Sequence, residues 1–304
     1  MMAKKSVALT ELYVKLSEVA TYLGHAEPGS AEWDEFRVDR IGGSEVGAIA
    51  GESKYESAYS LWAKKCGLIS SDRQDNEPMY WGRSLEPNII TRFEEEHPEL
   101  KVHRDLGTWI NKKYPFMLAN PDGIYEREDG SLGVLEIKTA RFADDWATGV
   151  PRYYETQVQW YLQTLGIQEA FVAVLIAGSD YREYAVGADR MWQDHDLDRV
   201  IRFRECVAKG ERPEWDGSES TVQTVRAMHP EIDKDLSVEL GDLGVHYHNA
   251  LSRLEEQEKE AKSFEAAVLD AMGNARTGLI YDRPEFIRVA RGKGKPYLTK
   301  KKGQ

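Results

Sequence analysis

The apolar and polar residues of Val134–Thr139 predict a β-strand that carries an unusual pair of charges. Residues i and i+2 share a face of a strand, so Glu136 and Lys138 would project from one side of it. Leu135 and Ile137 would face the other side, towards a core. A carboxylate and an amine inside an otherwise apolar strand call for an explanation, because such positions seldom carry charge without a role.

Asp122 lies close to this strand across a hairpin signal, Asp129-Gly130. A two-residue turn at those positions would set Asp122 opposite Ile137, on the wrong face of the hairpin. A three-residue loop would set it opposite Lys138, and a five-residue loop would set it opposite Glu136. A slip of one residue therefore decides whether the two carboxylates meet.

The sequence predicts an odd-length loop, or a β-bulge at Gly133, and thus two carboxylates and one ammonium at one end of a hairpin. That combination suits hydrolysis of a phosphodiester. Carboxylate oxygens bind hard divalent cations, a bound metal polarises phosphate and lowers the pKa of the attacking water, and an ammonium stabilises developing negative charge. The alternative is a surface hairpin with an ordinary salt bridge, which these residues alone do not exclude.

Helical spacing of apolar residues predicts helices around the hairpin. Ser84 can cap a helix whose first turn holds Glu86 and Pro87. Glu86 would complete the acidic cluster, or it is only a first-turn acid that the helix dipole favours. Further helices are predicted over Leu9–Leu23, Ser57–Lys65, Pro151–Leu165 and Met191–Ala208.

The remaining runs complete a mixed sheet and add a different pattern towards the C-terminus. Three further strands are predicted: Glu99–Ile110, which has a polar break, Glu169–Gly178 and Tyr181–Val186. The strand Glu169–Gly178 is the most apolar of the three and should be central in the sheet. After a break at Pro213–Ser220, residues 243–271 repeat apolar side chains at alternate steps of four and three, as in a coiled coil. A hairpin of residues 278–289 follows, and the last eight residues are predicted to be disordered.

Composition narrows the classes of protein. The chain has 304 residues, 41% of them hydrophobic, which is ample for a packed core, and no apolar run of 18 residues that would cross a membrane. The first ten residues lack a signal-peptide pattern. Cys66 and Cys206 are far apart, which favours a reducing cytoplasm and no structural zinc. The net charge of −12 is unusual for a DNA-binding protein, although residues 276–304 hold nine Lys or Arg against two acidic residues.

Four ordered segments between about residues 33 and 165 resemble the lambda-exonuclease and YqaJ-type viral recombinase nucleases of the PD-(D/E)xK superfamily. They are Trp33–Arg37 leading to Ile41–Val46, Trp81–Glu86, Asn120–Gly123 with Leu135–Thr139, and Tyr154–Tyr161. The resemblance implies a restriction-endonuclease-like α/β core, a central mixed sheet flanked by helices, over residues 1–212. Residues 213–304 would form an extension of a linker, a long helix and a basic β-hairpin with its tail.

The resemblance also implies roles for individual residues. Glu86, Asp122, Glu136 and the backbone carbonyl of Ile137 would bind one or two Mg²⁺ or Mn²⁺ ions, and Lys138 would position the water. Gln157 would orient a metal ligand or the scissile phosphate, supported by Tyr161; the alternative is a solvent-facing glutamine and a core tyrosine.

Arg37 and Ser44 would hold a DNA phosphate at a helix N-terminus, and by resemblance this is the terminal 5′-phosphate. The alternative is that Arg37 pairs with a nearby carboxylate and that Ser44 only caps a helix.

The activity implied is a metal-dependent exonuclease that digests one strand of double-stranded DNA ends 5′→3′ for phage-type recombination. The 3′ single-stranded tails would pass to a RecT- or Beta-like annealing protein. The resemblance further implies a homo-oligomeric ring, a trimer or tetramer, acting in the cytoplasm. The alternatives are an endonuclease on the same core and a DNA-binding recombination partner without turnover.

Overall fold

The computed structural model describes residues 11–27, 29–70, 76–290, 292 and 294–300. The helices are residues 11–16 (α1), Ala31–Arg37 (α2), Gly43–Ile49 (α3), Ala58–Lys65 (α4), Glu77–Glu96 (α5), Arg152–Leu165 (α6), Arg190–Lys209 (α7), Glu219–Met228 (α8) and Gly241–Met272 (α9). The strands are Ala20–Gly24 (β1), Ile41–Gly42 (β2), Lys101–Arg104 (β3), Thr108–Asn111 (β4), Met117–Ala119 (β5), Gly123–Glu126 (β6), Leu132–Ala140 (β7), Glu169–Ile176 (β8), Asp180–Gly187 (β9), Thr277–Ile280 (β10), Arg283–Val289 (β11) and Tyr297–Lys300 (β12).

A mixed sheet of five strands, in the order β3-β6-β7-β8-β9, forms the centre of the first unit, Met1–Pro230. Within it only β7 and β8 run parallel, and the connection between them contains α6, as a parallel crossover requires. A second sheet has the order β1-β4-β5-β2. The predicted α/β class, a mixed sheet flanked by helices, is confirmed, and the apolar strand β8 lies inside the sheet as predicted.

The two faces of β7 differ as its alternating pattern predicts. Leu135 and Ile137 pack into a cluster with Ile89 and Phe93 of α5. Val134, on the other face, belongs to the larger core with Val158 of α6. The face shared by Val134, Glu136 and Lys138 is therefore the one that α6 covers.

The register of the hairpin of β6 and β7 places Asp122 opposite Glu136. Gly123 pairs with Leu135, so the residue before Gly123 comes opposite the residue after Leu135. Five residues, 127–131, separate the strand ends, and the ladder contains no bulge at Gly133. Glycine is needed at position 133 for another reason: a Cβ there would lie 1.9 Å from Cζ of the Tyr125 ring.

The helix that carries Glu86 begins earlier than predicted. Its N-cap is Asn76, whose side chain accepts a backbone hydrogen bond. The predicted cap at Ser84 is wrong, since that residue lies inside α5 and donates its hydroxyl to the carbonyl oxygen four residues earlier, at 2.8 Å. Pro87 likewise lies in the interior of α5, and Glu86 is not a first-turn acid.

Two other predictions fail at turns. The predicted helix of residues 9–23 is wrong in its second half, because residues 20–24 form β1 and pair with β4; residues 9 and 10 lie outside the described residues. The single strand predicted over residues 99–110 is two strands in different sheets, β3 and β4. The chain turns between them at Asp105 and Gly107, which both have positive φ.

The second unit, Glu231–Gln304, contains α9 and the three-stranded antiparallel sheet β10-β11-β12. The long helix and the hairpin are as predicted, whereas β12 forms where disorder was expected, and residues 301–304 lie outside the described residues. The first unit extends to residue 230 and so includes α8, which packs against α4. No helix in the described part of the chain is long and apolar enough to span a membrane.

Candidate active site

Asp122, Glu136 and Lys138 come together where β6 and β7 meet. The backbone N–H of Ile137 donates to Asp122 Oδ2 at 2.7 Å, which anchors this carboxylate beside β7. Glu136 is 1% exposed, and its Oε1 accepts a short hydrogen bond from the Lys138 ammonium. The three charged groups predicted from the sequence therefore lie at one end of the hairpin.

Helix α6 adds Gln157 and Tyr161 to the same group. Gln157 donates from Nε2 to Glu136 Oε1 at 2.6 Å and contacts the Tyr161 hydroxyl at 3.2 Å. Its Oε1 accepts from Lys138 at 3.3 Å. The alternative of a solvent-facing glutamine is wrong, because Gln157 is buried and bridges both charges of the hairpin.

A close approach of α3 to α6 fixes the position of Gln157. A Cβ on Gly43 of α3 would lie 2.6 Å from Cε1 of Tyr161 and 3.0 Å from Cγ of Gln157. No side chain fits there without moving them, since such contacts are shorter than van der Waals distance. Gly43 thus lets α3 support the two α6 residues that face the hairpin.

Burial is the largest cause that raises the pKa of each carboxyl group at this site. Burial, and then the charge of Asp122, raises the pKa of Glu136 to about 8 against the lowering effect of Lys138. Burial and Asp122 also raise the pKa of Glu86 to about 7. Burial raises the pKa of Asp122, although Lys138 and the Ile137 N–H act in the other direction. More acidic groups converge here than one lysine neutralises.

The residues present fit a hard divalent cation. Glu136 Oε2 is buried and has no hydrogen-bond partner, which leaves one carboxylate oxygen available as a metal ligand. The side chains predicted to bind the metal, Glu86, Asp122 and Glu136, all offer carboxylate oxygen atoms, which such cations prefer. Among the described residues, no three His, Cys, Asp or Glu side chains form a complete metal-binding group as they stand. Lys138 and Gln157 instead hold the other oxygen of Glu136.

The predicted phosphate-binding pair is arranged differently. Ser44 is exposed and is not the helix cap, which is Gly42. Arg37 lies 4.2 Å from the centroid of the Trp33 ring, and its Nη1 is 3.7 Å from Glu45 Oε2. The structure thus contains the pairing with a nearby carboxylate that the alternative interpretation of Arg37 describes.

Sequence reasoning missed two residues near these groups. Glu45 accepts a hydrogen bond from the Gly42 N–H at 2.7 Å and forms an ion pair with Lys65 at 3.0 Å. Glycine has no side chain that could complete a capping box with Glu45, so the sequence carries no such signal at this helix start. Tyr154 places its ring 4.7 Å from the Lys138 ammonium, and no local signal distinguishes it from the other tyrosines of α6.

Asp122, Glu136 and Lys138 thus have the mutual arrangement that the sequence pattern predicted. Residues 32–168 match the model of the YqaJ-like viral recombinase domain. This part of the chain is therefore similar to a YqaJ-like viral recombinase domain, which confirms the resemblance found in the four sequence segments.

Individual proteins are also similar to this chain. The "uncharacterized protein YqaJ" of Bacillus subtilis (strain 168) is 28% identical over 266 residues, covering 84% of this chain and 82% of that protein. Among solved structures, the alkaline exonuclease LHK-Exo from Laribacter hongkongensis has a TM-score of 0.51 and 20% identity, covering 60% of this chain and 94% of that one. The same exonuclease in complex with dAMP has a TM-score of 0.50. These structures share the fold of the first unit.

Proposed function

We propose that the protein is a metal-dependent deoxyribonuclease that digests one strand of double-stranded DNA ends 5′→3′ in phage-type recombination. The observation that carries the proposal is the buried Glu136, with one oxygen held by Lys138 and Gln157 and the other without a partner. The match of residues 32–168 to a viral recombinase domain supports the biological setting, and the fold shared with an alkaline exonuclease supports the type of reaction.

The roles follow from the groups present. Glu86, Asp122, Glu136 and the Ile137 carbonyl would hold one or two Mg²⁺ or Mn²⁺ ions, which supply an activated water and polarise the phosphate when bound. Lys138 would orient the water and stabilise the developing negative charge. Gln157 would keep the Glu136 carboxylate and the lysine in position, and Tyr161 would keep Gln157 in its rotamer.

The partners follow from the same proposal. DNA ends are the substrate, a RecT- or Beta-like annealing protein would receive the 3′ tails, and the chain would assemble into a trimeric or tetrameric ring around DNA. The protein would act in the host cytoplasm, where Cys66 and Cys206, both free thiols in the structure, would stay reduced.

An endonuclease on the same core is the second candidate. The contact between Arg37 and Glu45 favours it, because an arginine that is already paired is less available for a terminal 5′-phosphate. Substituting Arg37→Ala and Ser44→Ala tests the terminal-phosphate pocket. If the double variant still prefers 5′-phosphorylated over 5′-hydroxyl ends, the pocket is elsewhere.

The experiment for the proposed function compares linear 5′-phosphorylated duplex DNA with closed circular DNA, in Mg²⁺ or in EDTA, with products resolved by the labelled end. We expect digestion of linear DNA alone, loss of the 5′ label first, and no digestion in EDTA. Cutting of the circle would establish an endonuclease. Absence of cutting in every metal tested would leave a DNA-binding protein without turnover.

A further inference from the structure

Three tyrosine side chains form a row that begins at the active-site lysine and ends at the protein surface. The Lys138 ammonium lies 4.7 Å from the centroid of the Tyr154 ring. The ring centroids of Tyr154 and Tyr153 are 4.2 Å apart, and those of Tyr153 and Tyr55 are 5.9 Å apart. Tyr55 is 67% exposed. The row therefore leads outward from the reacting groups.

The backbone under this row is fixed by local contacts. Tyr153 and Tyr154 lie in the first turn of α6, and a Cβ on Gly47 of α3 would lie 3.4 Å from the Cβ and carbonyl oxygen of Tyr153. Tyr55 follows α3, where its N–H donates to the Ser53 hydroxyl at 3.1 Å. Two elements that also frame the active site thus hold the tyrosines in place.

A positive charge accompanies the exposed end of the row. The Lys54 ammonium lies 5.5 Å from the ring centroids of both Tyr55 and Tyr153 and forms an ion pair with Asp145 at 2.5 Å. Both side chains of this pair are about half exposed, so the ion pair contributes little to the stability of the fold. Lys54 can therefore leave Asp145 for another anion at little cost in free energy. Lys54 is therefore able to accept a phosphate in place of Asp145.

Tyr55 forms a side-chain hydrogen bond with Tyr153, yet its ring remains mostly exposed. Its ring contacts Tyr153 edge to face, with planes at 83°, and most of its surface stays in water. An exposed aromatic side chain beside a lysine, continuous with a nuclease site, has the composition of a surface that binds unpaired bases and their phosphates. Paired bases inside a duplex do not offer a free face for such stacking.

We propose that Lys54, Tyr55 and Tyr153 bind a single-stranded segment of the DNA being cut, with a base stacked on the exposed tyrosine and a phosphate on the lysine. This inference rests on the proposed nuclease function, because it treats the row as the continuation of that site. It adds a subsite that follows the unpaired strand away from Lys138.

The test measures binding of a fluorescent twelve-nucleotide oligothymidylate to the full-length protein in EDTA, so that no cutting occurs. Tyr55→Ala is expected to weaken binding about 5- to 20-fold, since one base–aromatic stack is lost. Tyr55→Phe should bind within about twofold of the wild type, because it keeps the stacking face. Lys54→Gln should weaken binding and reduce its dependence on salt. Tyr281→Ala is the matched control, since Tyr281 is 95% exposed in the second unit.

Thermal melting of each variant excludes unfolding as the cause, and the phenylalanine variant gives a second check. Binding by Tyr55→Ala within twofold of the wild type would overturn the inference, as would an equal loss in Tyr281→Ala. A wild type that cuts linear DNA but does not bind the oligonucleotide overturns the inference alone. A wild type that neither binds nor cuts DNA removes the proposed function as well.

Discussion

Glu136 shows at the scale of one residue why this site is more than a salt bridge. A surface ion pair leaves both carboxylate oxygens in water, whereas Glu136 is 1% exposed and one of its oxygens has no partner. Burying an unsatisfied carboxylate destabilises a fold. A bound cation is therefore expected to stabilise the folded protein, and the neighbouring Asp122 should bind the same cation.

Adding 10 mM Mg²⁺ should raise the thermal midpoint of the wild type, and Asp122→Asn should remove most of that increase. Asparagine can still accept the hydrogen bond from the Ile137 N–H, so the change is mainly one of charge. For a dissociation constant of about 1 mM, the stabilisation is about 1.4 kcal/mol. Asp198→Asn, at an exposed position of α7, is the control. An equal Mg²⁺ effect in Asp122→Asn and the wild type would contradict metal binding by this carboxylate.

Gly43→Ala tests the support that α3 gives to Gln157 and Tyr161. The added methyl group would meet both side chains at 3.0 Å or less, so α6 must shift or a rotamer must change. We expect a loss of about 1–3 kcal/mol in the free energy of unfolding, together with reduced nuclease activity, measured by denaturant unfolding and DNA digestion. Gly217→Ala, where nothing lies within 4 Å of the new Cβ, should change neither.

At the scale of secondary-structure elements, the apolar buried parts were predictable and the exposed parts were not. The face of β7 followed from alternation, and an odd-length loop followed from the need to bring the charges to one face, but the choice of Glu136 over Lys138 as the residue opposite Asp122 did not. The start of α5 did not, because residues 77–88 contain no buried side chain, and an exposed turn leaves no apolar period in the sequence. Pro87 then suggested a helix start where the helix in fact continues.

Glu126 links three elements and should make them sensitive to acid. It contacts Lys15 of α1 at 2.7 Å, and Lys101 and His103 of β3 at 3.1 and 3.2 Å. Burial acts to raise its pKa, but the hydrogen bonds from these partners outweigh it and lower the pKa to about 2. The charged form is therefore favoured by folding.

Glu126→Gln should lower the free energy of unfolding at pH 7 by about 1–2 kcal/mol, after allowing for solvent screening of a partly exposed group. The contribution of a depressed carboxyl pKa is complete above the unfolded value of 4.5 and is lost as the pH falls towards 2. Urea unfolding at several pH values would show the wild type and the variant converging across that window. A constant difference down to pH 2 would contradict the assignment.

At the scale of the whole molecule, the boundary between the units depends on polar packing that a hydrophobic pattern cannot show. Helix α8 meets α4 through buried hydroxyl groups, with Thr221 donating to Ser57 at 2.8 Å and Thr224 to Ser60 at 2.7 Å. Serine and threonine do not mark a core in the sequence, so residues 213–230 were predicted as part of the extension. Their contacts belong to the first unit.

Chains ending at residue 230 and at residue 212 should therefore differ in stability. The longer chain keeps α8 and should fold with a thermal midpoint within a few degrees of the full-length protein. The shorter one exposes the hydroxyls of α4 and should lose about 2–4 kcal/mol, as expected when several buried hydrogen bonds and their packing are removed. Circular dichroism melting compares them, and equal midpoints would place the boundary at residue 212.

The rate at which linear 5′-phosphorylated duplex DNA is converted to acid-soluble nucleotides in Mg²⁺ tests the role of Lys138 most directly. We predict that Lys138→Ala lowers this rate at least about 100-fold, that EDTA abolishes it, and that Lys259→Ala, an exposed lysine of α9, leaves it unchanged. A Lys138→Ala variant that digests DNA at the wild-type rate would contradict the proposed active site.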